Sequence, residues 1–221
     1  LVNGEGENCI VITAGANHEL SPAYIDTISK QIGTASMVML QMEVPVETVT
    51  RVCELAAQFE TQVLLNVAPA REIDADLFKM VDILVVNETE IEKISGKSID
   101  ECGEEKVIDA LVKKGAKTVI LTLGRNGSLV RQGKILRHIP AFQVEAVDTT
   151  AAGDTFCGAL VASLGKGKDL TASVQFATAA SALCVTRMGA QPSIPTEDEV
   201  NQFLRLDVAV MENGFTKKHH G

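Results

Sequence analysis

Asp82-Ile83-Leu84-Val85-Val86-Asn87-Glu88-Thr89-Glu90-Ile91-Glu92-Lys93-Ile94 reads as one strand running straight into one helix. The short apolar run Asp82–Val86 suits a buried strand. Asn87 then stands at an N-cap position with Glu90 three residues on, a capping-box variant that opens a helix over Glu88–Ile94. The same alternation extends in both directions. Strands are expected near Cys9–Thr13, Ser36–Gln41, Gln62–Val67 and Thr118–Thr122, with helices near Pro22–Ile32, Val46–Phe59 and Glu104–Lys114. Ser128–Arg131 and Ile135–His138 flank Gln132-Gly133-Lys134 as a hairpin, and long helices near Ala151–Leu164, Leu170–Arg187 and Glu197–Leu206 complete the pattern. Strand and helix in alternation imply an α/β fold: a Rossmann-like, mostly parallel sheet with helices on both faces. No internal repeat or low-complexity linker divides residues 1–221, which read as a single domain.

In such a sheet, ligands gather at the carboxyl ends of the strands. Glu43, Ala68-Pro69-Ala70, Asn87 and Gly124 all follow expected strands. Topology therefore points to that edge without naming a ligand.

The richest chemistry lies in Asp148-Thr149-Thr150-Ala151-Ala152-Gly153-Asp154-Thr155-Phe156-Cys157-Gly158-Ala159-Leu160. A run of tiny residues followed by a carboxylate opens an apolar helix. A helix start offers unpaired N–H groups and the positive end of the macrodipole, which attract an anion. Ala151, Ala152 and Gly153 keep bulk away from those groups. Asp154 stands one step on, placed to take a proton from a hydroxyl that attacks a bound phosphate. Small residues and Asp are also ordinary helix-start material, so helix capping alone accounts for the same letters.

Composition narrows the classes. The 221 residues are 46% apolar with net charge −9, which favours a folded core and opposes non-specific nucleic-acid binding. No apolar run reaches membrane-spanning length and no charged-then-apolar leader is seen, so neither a membrane nor a nucleic-acid partner is expected and the expected compartment is the cytoplasm. Cys9, Cys53, Cys102, Cys157 and Cys184 are odd in number and scattered, which suits reduced thiols rather than a disulfide frame. His219 and His220 sit in a Lys-Lys-His-His-Gly tail that reads as an unstructured end. Gly-x-x-x-x-Gly-Lys-Ser/Thr is absent: from Gly127 to Gly133-Lys134 there is one residue too many, followed by Ile135. Gly-x-Gly-x-x-Gly and His-Glu-x-x-His are absent as well.

The Asp148–Leu160 segment resembles the signature of the ribokinase-like (PfkB-type) sugar kinases. Gly6-Glu7-Asn8, Gly15-Ala16-Asn17, Gln41-Met42-Glu43, Asn66-Val67-Ala68-Pro69-Ala70, Asn87-Glu88-Thr89-Glu90, Thr122-Leu123-Gly124 and Gly189-Ala190-Gln191-Pro192-Ser193 follow in the family's order. The resemblance implies ATP-dependent phosphorylation of a sugar, D-ribose to D-ribose 5-phosphate. Another sugar or nucleoside kinase, or a nucleotide-binding fragment without turnover, is the alternative. It makes Asp154 the base, with N–H groups around Ala151, Ala152 and Gly153 holding the transferring group. It makes Glu43 a sugar ligand, although a structural glutamate heading the next helix fits the letters equally. Asn87 and Glu90 would serve nucleotide phosphates and Mg2+, alongside their capping role. Thr122, Leu123, Gly124, Arg125, Asn126 and Gly127 would line the ATP site; turn chemistry alone also explains them. Thr178 stands where many relatives carry a histidine near the adenine, and a packing role for it is equally open. Asp148, Thr150, Cys184, Arg187, Gly189 and Ser193 would surround K+, mostly through backbone carbonyls, with the cationic head of Arg187 excluded as a ligand. Alternatively, Asp148 braces its loop.

The chain opens at Leu1, and Asn3-Gly4 reads as a hairpin turn with almost no strand before it. By resemblance, an N-terminal part carrying core strands, sugar-binding residues and most of a lid precedes this point. The expectation is a domain incomplete at its N-terminus, with a lid remnant and exposed sheet edges. Homodimerisation through lid strands is expected of the longer parent.

Overall fold

The computed structural model describes residues 14–216, with side chains described to Leu206. The expected strand Cys9–Thr13, the Asn3-Gly4 turn, Gly6-Glu7-Asn8 and the His219-His220 tail lie outside the described residues. Six strands, β1 (Met37–Leu40), β2 (Gln62–Asn66), β3 (Ile83–Asn87), β4 (Thr118–Thr122), β5 (Ser128–Gln132) and β6 (Ile135–Ile139), form one sheet in sequential order. β1 to β4 are parallel, whereas β4, β5 and β6 run antiparallel. The sheet is thus mostly parallel with a hairpin at one edge.

Alternation along each strand assigns its side chains to two cores. Val63, Leu65, Leu84, Val86, Val119 and Leu121 face one layer. That layer contains α3 (Val46–Phe59), α4 (Ala75–Met80), α5 (Glu88–Ser95) and α7 (Glu104–Lys114), the helices that connect successive parallel strands. Leu64, Ile83, Val85, Ile120, Val130 and Ile139 face the other layer. There they meet Phe156, Cys157 and Leu160 of α8 (Ala152–Gly165) and Val174 and Ala177 of α9 (Leu170–Val185). Helices cover both faces, as the alternation requires.

Two expectations are modified. The helix foreseen over Pro22–Ile32 is broken at Ile28 into α1 (Pro22–Thr27) and α2 (Ser29–Thr34). The Thr27 hydroxyl donates to the Tyr24 carbonyl at 2.6 Å, and Ile28 N–H bonds three rather than four residues back, which tightens and ends the first piece. The last helix, α10 (Glu197–Thr216), runs well past Leu206. The six-residue α4 and the four-residue α6 (Ile99–Cys102) are too short to declare themselves by period.

β1 pairs on one side only among the described residues. Its Met39 is 46% exposed, while β2 beside it is buried along Val63–Leu65. Among the described residues no helix is long and apolar enough to cross a membrane.

Candidate active site

The first turn of α8 is positioned from three directions. Val147 and Asp148 N–H groups donate to the Val185 carbonyl at 2.7 and 3.1 Å, which hangs the incoming loop on the end of α9. The Ser181 hydroxyl donates to Ala152 O at 3.0 Å, and the Thr155 hydroxyl to Cys184 Sγ at 3.3 Å. Asp148 spans the two loops: one carboxylate oxygen accepts from Thr150 N–H (2.9 Å), the other from Gly189 N–H (2.8 Å). The Thr150 side chain and these N–H bonds hold its carboxyl below the usual carboxylate range. The bracing reading of Asp148 is therefore the geometry seen.

Ala151, at the N-cap, has φ +61°, ψ +12°, a left-handed conformation that an L-residue adopts at a cost. It turns the chain sharply into the helix. Of the three amides expected to be free, only that of Ala152 is taken up. Ala152 N–H is engaged by Thr149 O at 3.3 Å, while Ala151, Gly153 and Asp154 N–H have no backbone partner among the described residues. Gly153 and Asp154 are both exposed. Apart from its chain neighbours and the backbone of its own helix, no atom lies within 4 Å of where a Gly153 Cβ would stand, so the space beside the turn is open.

Two clefts meet at this turn. The larger, about 430 Å³, is lined by Ala152 and Gly153 at one end and by Asn87, Thr122, Gly124, Arg125 and Gly127 along one wall. Its other wall is the loop after β6, with Phe142 and Val144, and the α9 residues Thr178, Ser181 and Val185. The smaller, about 270 Å³, is lined by Asp154, Gly158, Lys166 and Phe176. An apolar wall, polar turns and an anion-attracting helix start suit a flat heterocycle carrying phosphates.

The other expected residues divide. Leu123 is buried in the first core and Asn126 points its carbonyl at His138, so neither lines the cleft. Thr178 lines it, but its hydroxyl donates to Val174 O at 2.8 Å within α9, as a packing threonine does. Glu90 forms the complete capping box: Asn87 N–H donates to Glu90 Oε2 and Glu90 N–H to Asn87 Oδ1, both at 2.8 Å. Burial pushes the Glu90 carboxyl up, with the Asn87 bonds opposing. Asn87 and Glu88 line the cleft, whereas Glu90 sits behind them. The buried Cys157 thiol is pushed up to about 12 by burial, with the charges of Asp154 and Glu90 adding to it.

Thr150, Cys184, Gly189 and Ser193 are brought together with Asp148. Cys184 Sγ lies 3.7 Å from Thr150 O and 3.1 Å from Ser193 Oγ. Arg187 turns its guanidinium away to Glu199 at 2.6 Å, consistent with its exclusion as a ligand. Among the described residues no three His, Cys, Asp or Glu side chains cluster as a metal site. Glu43 is exposed beyond β1, its N–H bonded to Gln41 Oε1 at 2.7 Å, and lines neither cleft.

Residues 1–197 match the pfkB family carbohydrate kinases. The chain belongs to that family. A ribokinase of Staphylococcus aureus is 40% identical over 203 residues, which cover 91% of this chain and 67% of that protein. A deoxyribokinase of Salmonella typhi is 36% identical over 208 residues, covering 93% of this chain and 68% of the relative. Arabidopsis thaliana ribokinase, solved with ribose and ATP, superposes with TM-score 0.84 at 31% identity over 92% of this chain and 67% of its own. The chain thus spans about two thirds of the length of these pfkB kinases. Phe142, Val144, Ser181 and Val185 escaped sequence reading, because their role depends on α9 and the β6 exit meeting in space. Ser181 carried no distinguishing signal, being one of four hydroxyl residues in α9 with Thr171, Ser173 and Thr178.

Proposed function

We propose that this pfkB-family chain transfers the γ-phosphoryl group of ATP to the primary hydroxyl of D-ribose, giving ADP and D-ribose 5-phosphate. The observation that carries this reading is the α8 start: an exposed carboxylate among N–H groups that no backbone carbonyl of the described residues takes up, beside a cleft of about 430 Å³. The base and sugar of ATP lie between the Gly124–Gly127 turn and the Phe142–Val144 loop, with the terminal phosphate at Ala152–Gly153. Asp154 takes the proton as the hydroxyl oxygen bonds to phosphorus and the bond to the ADP oxygen breaks. Gly153 and Asp154 N–H groups meet the charge that develops on the transferring group. Glu43 orients the sugar from the end of β1.

Asn87 and Glu88, which line the cleft with side-chain oxygens, would hold Mg2+ there, and it would supply positive charge to the phosphates. Glu90 acts from behind by fixing Asn87. The oxygens of Thr150, Asp148 and Ser193 fit K+, which adds positive charge beside the anion cradle. The reading places the protein in the cytoplasm, in keeping with the free thiols at Cys53, Cys102, Cys157 and Cys184.

The test is ADP release with MgATP and either D-ribose or 2-deoxy-D-ribose, with a thermal melt in parallel. Ribose-dependent release supports the proposal. Release with deoxyribose alone replaces the acceptor. A melt raised by MgATP without release on either sugar leaves a binding protein. Neither release nor a shifted melt overturns the reading.

A further inference from the structure

The turn that walls the larger cleft is held from behind by β6. Within the turn, Leu123 N–H donates to Gly127 O at 2.8 Å, Asn126 N–H to Leu123 O at 2.9 Å and Gly127 N–H to Gly124 O at 3.1 Å. Those bonds shape the turn but do not tie it to the rest of the molecule. Two consecutive residues of β6 do. At Ile139 the two backbones run so close that a Cβ on Gly127, which has φ +89°, would lie 2.1 Å from Ile139 O and 2.7 Å from Ala141 N. At His138 it is polar, with Nε2 2.7 Å from Asn126 O. A carbonyl oxygen only accepts, so Nε2 carries the proton. Without this bond the exposed Arg125–Asn126 tip has no side-chain anchor to β6 among the hydrogen bonds of the described residues.

The same strand leaves the sheet at Ile139, and Ala141, Phe142 and Val144 just beyond it also line the cleft. Phe142 is seated edge-on against Phe203 of α10, centroids 5.2 Å apart. β6 therefore touches the turn and leads directly into a second segment that lines the cleft. We propose that His138 is a positioning residue for nucleotide binding, holding the Gly124–Gly127 turn at the cleft by donating to Asn126 O. It touches no substrate. This deepens the nucleotide reading of the cleft and rests on it.

The test is calorimetric titration of the 221-residue chain and its His138→Ala and His138→Gln variants with MgADP, alongside thermal melts without ligand. Losing one hydrogen bond should weaken MgADP binding about five- to tenfold in His138→Ala. The exposed position of His138 leaves the ligand-free melting temperature within about 2 °C, since surface changes of this kind cost little. His138→Gln, which keeps an N–H donor, should recover most of the affinity. Equal affinity in all three proteins overturns the role of His138, as does a failure of Gln to rescue while both variants melt like the parent. A melt lowered in step with affinity in both variants makes His138 merely structural and also overturns it. A parent chain that does not bind MgADP overturns the cleft reading itself, and the inference with it.

Discussion

The two halves of the carboxyl edge of the sheet are enclosed to very different degrees. Past β3, β4 and the β5–β6 hairpin, this chain builds a cleft with two walls and an end: a turn, a loop, a helix and the α8 start. Past β1 and β2, Glu43 stands exposed and lines neither cleft, and Met39 of the outer strand is 46% exposed. On the proposed reading, the phosphoryl donor would sit among these segments, while the acceptor would be offered one carboxylate and the open side of Asp154. Binding of the donor and catalysis on the acceptor should be separable by mutation.

The sharpest way to break that separation is Asp154→Asn. It should lower turnover about a hundred- to ten-thousandfold, the range for loss of a general base. MgATP affinity should stay within about threefold. Steady-state kinetics with calorimetry checks both, and a parallel loss of affinity would merge the halves.

Glu43→Gln probes the open half. Loss of one hydrogen bond to a charged group should raise KM for the sugar about tenfold, with KM for ATP unchanged. An effect on ATP instead would assign Glu43 to the donor side.

Ala151→Gly tests the junction of the two halves. Glycine meets φ +61° without the left-handed cost of alanine, offset by its greater freedom when unfolded. Urea unfolding should show a gain of about 0.5–1 kcal/mol. A loss would mean that the alanine methyl packs against something the strain does not outweigh.

The smallest effect is on pH. Arg187, with help from the Thr196 N–H and hydroxyl, holds the Glu199 carboxyl down to about 2 from an ordinary 4.5. Its contribution is present above pH 4.5 and lost as pH falls toward about 2. Glu90 behaves oppositely: its raised carboxyl favours the fold below its ordinary value, and that contribution is lost as pH rises through the raised value. Urea unfolding at a series of pH values should show a flatter acid limb for Glu199→Gln, and a Glu90→Gln difference confined to higher pH.

Much of this was legible in the letters because it is local. The capping box at Asn87–Glu90, the strand at Thr118–Thr122 and the helices Val46–Phe59 and Glu104–Lys114 follow from period and caps over a few residues. The carboxylate after Ala151-Ala152-Gly153 was legible for the same reason. The break at Ile28 was hidden, because a single hydroxyl bond within one turn decided it.

What the sequence alone determined is the alternation of the strands with the longer helices, the covering of both sheet faces and the residues that open α8. All of these depend on neighbours within a turn or two. Only the tertiary structure decided which amides remain free, that Leu123 goes to the core and Asn126 toward β6, and that Phe142, Ser181 and Val185 share a cleft with Asn87. Those outcomes depend on segments far apart in the chain competing for the same hydrogen bonds and the same space. No local pattern records that competition.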